Sequence, residues 1–100
     1  MTERFTVAVD ADIADLAQDF LRNRASVPKR AAAAAAAHDL ALLQRIGHEL
    51  KGTAGSYGFR ELSTIGATLE TAATAGNLAS AADAIAQMGD YLARVSVIPR

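Results

Sequence analysis

An all-α fold, an antiparallel four-helix bundle with an additional short N-terminal helix, is expected from three features of the sequence. Apolar residues recur at helical spacing along most of the chain, short breaks rich in Asn, Asp, Gly or Pro separate the runs, and no strand pattern competes after residue 10. Four long amphipathic segments joined by short loops pack most simply as an up-and-down bundle. The 100 residues suffice for one domain with a single modest core. That domain is expected to span 1–100, with its core over about 10–95 and short flexible ends.

Phe5, Val7 and Val9 alternate with polar or small residues and read as an extended lead-in. Asp10 or Asp12 can then cap a short helix that places Ile13, Leu16 and Phe20 on one face. Residues 23–26 break it. Ser26 as cap and Pro28 in the first turn open a second helix that runs to about Ala37 through seven consecutive alanines at 31–37. Alanine is the best helix former and leaves a low surface for a neighbouring helix, so this biased run reads as plain structure. His38, in the last turn, interacts favourably with the helix dipole and is given no further role.

Asp39 caps a third helix, DLALLQRIGHELKGTAGSYG, whose core stripe is Leu43, Ile46, Leu50, Ala54 and Tyr57. A fourth helix runs from about Arg60 to Ala75 with Leu62, Ile65, Leu69 and Ala72 inward. Gly76 ends it and Asn77 caps the fifth, which carries Leu78, Ala81, Ile85, Met88, Leu92 and Val95 at alternating three- and four-residue steps.

Composition excludes several kinds of function. The formal net charge is −1, from ten Lys/Arg and eleven Asp/Glu, so no basic excess points to nucleic acid and no single-sign field points to a membrane surface. The absence of cysteine removes disulfides, zinc–thiolate sites and thiol nucleophiles. The N-terminal stretch MTERFTVAVDADIADL reads as neither a signal peptide nor a membrane anchor, and a soluble cytoplasmic protein is expected. No Ser-His-Asp grouping and no glycine-rich strand-to-helix turn supports a hydrolase or a nucleotide site.

The third helix carries the chemistry. At 100° per residue, His48 lies roughly 160° from Ile46 and Leu50 and therefore faces solvent. That geometry rules out a core histidine but leaves an indifferent surface one. Its neighbours change the weighing, because Ala41, Gln44, Lys51, Gly52 and Gly55 all fall within about 60° of it. Gly47, Gly52 and Gly55 interrupt a helix at a cost on the order of 1 kcal/mol each relative to alanine. A bare surface around an exposed imidazole suggests close approach of another molecule, although helix packing also explains Gly47. Neutral imidazole is a nucleophile at physiological pH, and Lys51 one turn on can offset a phosphoryl charge. The position four residues after His48 is Gly52, which leaves no helical metal pair, so no intrinsic metal or cofactor is expected.

The run His48-Glu-Leu-Lys51-Gly52-Thr-Ala-Gly-Ser-Tyr57-Gly58-Phe59, followed by Leu62 and Leu69-Glu70, resembles the histidine-phosphotransfer (HPt) domains of multistep phosphorelays. Their pattern is His-x-Leu-Lys-Gly-x-Ala, an aromatic or apolar residue, and a glycine ten residues after the histidine. The close match covers 40–76, and the helix layout fits over about 10–95. The resemblance implies a four-helix bundle with an extra helix at one end, and phosphorylation of His48 at Nε2. It implies that Lys51 contacts the phosphoryl group and that Gly52 leaves room for the partner, with Gln44, Gly55 and Ala41 on the same docking face. The implied partners are response-regulator receiver domains or a hybrid sensor histidine kinase, the receiver contributing the aspartate and the Mg²⁺. The chain is then a phosphocarrier rather than an enzyme, and a monomer.

Position 70 corresponds to a Gln or Glu that bonds the active imidazole in some members. Chemotaxis-kinase versions also carry Glu there but often add a histidine three residues earlier, where this chain has Ala67. Glu70 lies 22 residues after His48, and in a hairpin turning near Gly58 the two stand about equally far from the turn. Beside the inward Leu69 it either flanks the seam and reaches the ring or is an ordinary solvated glutamate. The competing functional class is a helical interaction or dimerisation module whose histidine is idle.

Overall fold

The computed structural model describes residues 4–100; the first three residues of the expected domain and of the N-terminal stretch read above for targeting signals lie outside it. The chain runs β1 (Phe5–Val9), a 3₁₀ turn (Ala11–Ile13), α1 (Ala14–Asn23), α2 (Val27–Ala36), α3 (Leu40–Ser56), α4 (Arg60–Thr74), α5 (Leu78–Arg94) and β2 (Val95–Pro99). Helices α2 to α5 form the expected all-α bundle: α3 packs on α4, α4 on α5, and α2 closes the ring against both α5 and α3. Leu43, Leu50, Leu62, Leu69 and Met88 fill its centre, and Ala31, Ala54 and Ala81 allow close helix approach at full burial.

Three of the helix stops share one construction. The residue after the C-cap is left-handed at His38 (φ 55°), Gly58 (φ 84°) and Gly76 (φ 70°). In each, the following N–H reaches back five residues: Asp39 to the Ala34 carbonyl at 2.8 Å, Phe59 to Ala54 at 3.0 Å and Asn77 to Ala72 at 2.8 Å. These are Schellman motifs, which satisfy the last helical carbonyls within the backbone itself. His38, expected inside a last helical turn, is the residue of the three that carries a side chain in the left-handed region. Asp39 and Asn77 then cap α3 and α5 as expected, accepting from the N–H of Leu42 and Ser80 at 3.1 Å each.

The structure departs from the sequence reading at both ends of the chain. Instead of flexible ends, β1 and β2 pair in parallel, Phe5 opposite Val95 through Val9 opposite Pro99. Arg100 extends the pairing, donating to the Val9 carbonyl at 2.9 Å and accepting from Ala11 at 3.2 Å. The segment Val-Ser-Val-Ile has the β-branched content of a strand, but its partner is some 90 residues away, a pairing no local pattern discloses.

In the first helix, Leu16 is 55% exposed, and Ala14, Ala17 and Phe20 form the buried face. The 3₁₀ turn before α1 advances at a different angle per residue from an α-helix, so a stripe extrapolated through Ile13 arrives out of phase. Neither Asp10 nor Asp12 caps by side chain, and Ser26 is helical in conformation and makes no cap bond. In α5, Tyr91 rather than Leu92 is the buried residue near the C-terminus, and Val95 belongs to β2. The Tyr91 ring packs at 4.9 Å from that of Phe5 in β1, so an element from the other end of the chain selects the face.

Helix α1 and the strands cover one end of the bundle. Phe20 stacks on Tyr57 at 4.9 Å and on Phe59 at 5.9 Å, sealing the α3–α4 turn. Arg24 lies over the Phe20 ring at 4.7 Å and Arg94 over the Phe5 ring at 4.6 Å, each leaving an apolar contact beneath a charged head.

Candidate functional site

Helices α3 and α4 approach at two glycines. A methyl group on Gly47 would stand 2.6 Å from both the Glu70 nitrogen and the Gly66 oxygen, and one on Gly66 would stand 2.7 Å from the Lys51 nitrogen. The two backbones are therefore in direct contact, and the packing explanation of Gly47 is the one the structure supports. One turn further along the seam, the Ser63 hydroxyl donates to the Lys51 carbonyl at 2.7 Å.

This close crossing places Glu70 beside His48. The Glu70 carboxylate divides its two oxygens: Oε2 lies 2.8 Å from His48 Nδ1 and Oε1 accepts from Lys51 Nζ at 2.9 Å. The bond to Lys51, and after it the bond to His48, holds the Glu70 carboxyl below the usual carboxylate range. An ionised carboxylate can only accept, so Nδ1 must be the nitrogen that carries the proton. The tautomer this selects has its lone pair on Nε2, on a side chain that is 69% exposed. Of the two sequence readings of Glu70, the seam position holds and the solvated one does not; the side chain is 22% exposed.

Lys51 falls on the His48 side of α3 and is half-exposed, tied to Glu70 rather than extended into solvent. An ammonium has three donors, so this pairing leaves capacity for another acceptor. Ala41, Gln44 and Gly52 are exposed on the same side of α3, and a Cβ added at Gly52 would meet nothing within 4 Å. Gly55 is exposed too, but its missing Cβ points toward Ser63 Oγ at 3.5 Å, so it borders the α4 seam rather than the open surface.

A cleft of about 810 Å³ opens beside His48, with Gln44, Arg45, Glu49 and Glu70 on its wall and Arg30 reaching it from α2. Ser63, Gly66, Arg30 and Arg45 were not picked out from the sequence. Gly66 carried a weak signal, a second glycine inside an apolar helix facing Gly47 across the Gly58 turn; Arg30 carried none, because its approach to His48 depends on how α2 docks. Among the described residues, no cluster of three or more His, Cys, Asp or Glu side chains is placed to hold a metal ion. No helix among them is long and apolar enough to cross a membrane.

A helical bundle presenting on α3 an exposed histidine, its Nδ1 against a carboxylate of the next helix, is the arrangement expected from the resemblance to HPt domains. Comparison with protein families agrees: the family model of the Hpt domain matches residues 1–97. The chain belongs to the Hpt family. Neither the comparison with curated proteins nor that with solved structures returned a match. Hpt domains are phosphocarriers of histidine phosphotransfer in phosphorelays, where they interact with receiver domains and kinases.

Proposed function

We propose that this chain accepts a phosphoryl group on Nε2 of His48 from the aspartyl phosphate of a receiver domain, or from a kinase, and returns it to the aspartate of another receiver. The observation that carries the reading is the Nδ1–Glu70 contact of 2.8 Å on an imidazole whose other nitrogen faces outward.

In the forward step the Nε2 lone pair attacks phosphorus in line with the donor's acyl phosphate bond. The N–P bond forms as the P–O bond breaks, and the departing electron pair restores the donor's carboxylate. The ring, now substituted on both nitrogens, carries a positive charge, which the Glu70 carboxylate is placed to stabilise without moving. Lys51 offers an N–H to the transferred group. Gly52, with Ala41 and Gln44, leaves a low surface on which the partner settles, and Gly55 widens it toward α4. The Mg²⁺ that offsets charge on the phosphoryl oxygens travels with the receiver. The carrier acts as a monomer in the cytoplasm.

Incubation with a phosphorylated receiver tests this directly. Wild-type protein should acquire an acid-labile, base-stable label, as a phosphoramidate does, and folded His48→Gln should acquire none. Label retained in His48→Gln, with His38 the other histidine of the chain, would reject the assignment. A wild-type protein that binds partners without ever being labelled would instead be the helical interaction module.

A further inference from the structure

We infer that Gly47 and Gly66 are positioning residues: their contact holds the α4 backbone at Glu70 close enough to α3 for one carboxylate to bridge His48 and Lys51. The kinetic consequence rests on the phosphotransfer reading; the geometric one does not.

The two glycines meet reciprocally. In α4 the Glu70 N–H lies one helical turn after the Gly66 carbonyl, the spacing of a helical hydrogen bond. The space a Gly47 methyl would fill is 2.6 Å from both of those atoms and 3.0 Å from the Glu70 Cα. In α3 the Lys51 N–H bears the same relation to the Gly47 carbonyl, and a Gly66 methyl would stand 2.7 Å and 2.9 Å from that pair, with the Leu50 carbonyl carbon at 3.2 Å. Each glycine thus lies over a backbone hydrogen bond of the opposite helix, and those bonds begin at Lys51 and Glu70, whose side chains meet at 2.9 Å. His48 follows Gly47 directly.

Every atom a new methyl would strike belongs to the backbone, so no side chain can rotate away, and the helices must separate. Both partners of the Glu70 carboxylate stand on α3, so a separation of the helices draws His48 and Lys51 away from it together. Ser63, bonded across the seam to the Lys51 carbonyl at 2.7 Å, secures the same approach a turn away. Glycines at a helix crossing that served packing alone would have no tie to the ring's protonation state.

The test reads the ring itself. Nitrogen-15 spectra of the full chain, recorded where the imidazole is neutral, should show His48 of the wild type as the Nδ1–H tautomer. In Gly66→Ala the ring should move toward the Nε2–H form, while Gly89→Ala, in a remote helix with only Pro28 Cβ at 3.7 Å from its added methyl, should leave it unmoved. Labelling by a phosphorylated receiver should slow on the order of tenfold or more in Gly66→Ala, the scale at which small misplacements act. In a Glu70→Ala background the same substitution should cost nothing further. A folded Gly66→Ala with wild-type ring signals, or with an equal slowing in both backgrounds, would overturn the inference. If Gly66→Ala does not fold, Ser63→Ala loosens the seam without adding an atom, and unchanged ring signals there overturn it equally. A wild type that shows the tautomer shift on substitution but never takes label would refute the proposed function and leave the positioning role standing.

Discussion

The two ends of the bundle are closed by different physics. At one end, the α3–α4 turn, the start of α2 and the end of α5 lie beneath α1 and the β1–β2 pair, and five aromatic rings (Phe5, Phe20, Tyr57, Phe59 and Tyr91) are drawn into contacts there. At the other end the α2–α3 and α4–α5 turns lie side by side, the Leu40 side chain 3.9 Å from where a Gly76 Cβ would be, and none of the described residues is laid over them. That end depends on backbone hydrogen bonds made within each turn. Burial stabilises the covered end through contacts distant in sequence, whereas the bare end is stabilised residue by residue. The site lies midway along α3 and belongs to neither.

The largest effect should come from breaking the covered end. Phe59 is fully buried and stacked on Phe20, so Phe59→Ala should cost about 3–5 kcal/mol in denaturant unfolding, the range for a lost core aromatic. A loss below about 1 kcal/mol would show that the end relaxes around the gap.

High pH attacks the same end by another route. Burial first, and the nearby Glu61 charge second, push the Tyr91 phenol up to about 12. An acid whose folded pKa is raised contributes stability that is intact below its unfolded value, 10.0, and lost as pH climbs toward the folded one. Between those limits the fold should lose at most about 3 kcal/mol. Tyr91→Phe should flatten that alkaline slope, and phenolate absorbance followed alongside unfolding would show whether Tyr91 is its source.

The bare end should respond locally and in the opposite direction. His38 holds a left-handed φ of 55° that glycine adopts without steric cost, so His38→Gly should raise stability by up to about 1 kcal/mol, less the extra freedom glycine gains when unfolded. Thermal unfolding of His38→Gly beside Gly76→Ala, expected to move the other way, would show whether the two turns are equivalent.

Between the ends, Gly52→Ala adds a methyl into open space within a helix and should stabilise by roughly 0.5–1 kcal/mol with transfer intact. Gly52→Leu should keep that stability and slow transfer from a receiver. Normal transfer by the leucine variant would remove Gly52 from the docking surface.

Much of the bundle was legible because its information is local. Leu43, Ile46, Leu50 and Ala54 are buried as their spacing requires, and Asp39, Asn77 and Gly76 act at the boundaries their chemistry suggests. His48 was legible for the same reason, since its distance around α3 from Ile46 and Leu50 already turned it outward. Leu16 and Leu92 were misread where a 3₁₀ turn or a distant element changed the phase, and Asp10, Asp12 and Ser26 make none of the side-chain cap bonds assigned to them. Tyr91 shows the cause: its inward rotation is set by Phe5, more than eighty residues earlier.

The sequence by itself determined the helices, their order, the outward histidine and the cation one turn beyond it, because a helix converts residue spacing into direction at a constant angle. Only the tertiary structure decided that the chain ends pair as parallel strands, that Arg30 reaches the cleft beside His48, and that one carboxylate joins the imidazole to the lysine. Those features depend on the distance and register between elements, and here that distance is set where Gly47 meets Gly66, a contact with no side chain on either face to announce it.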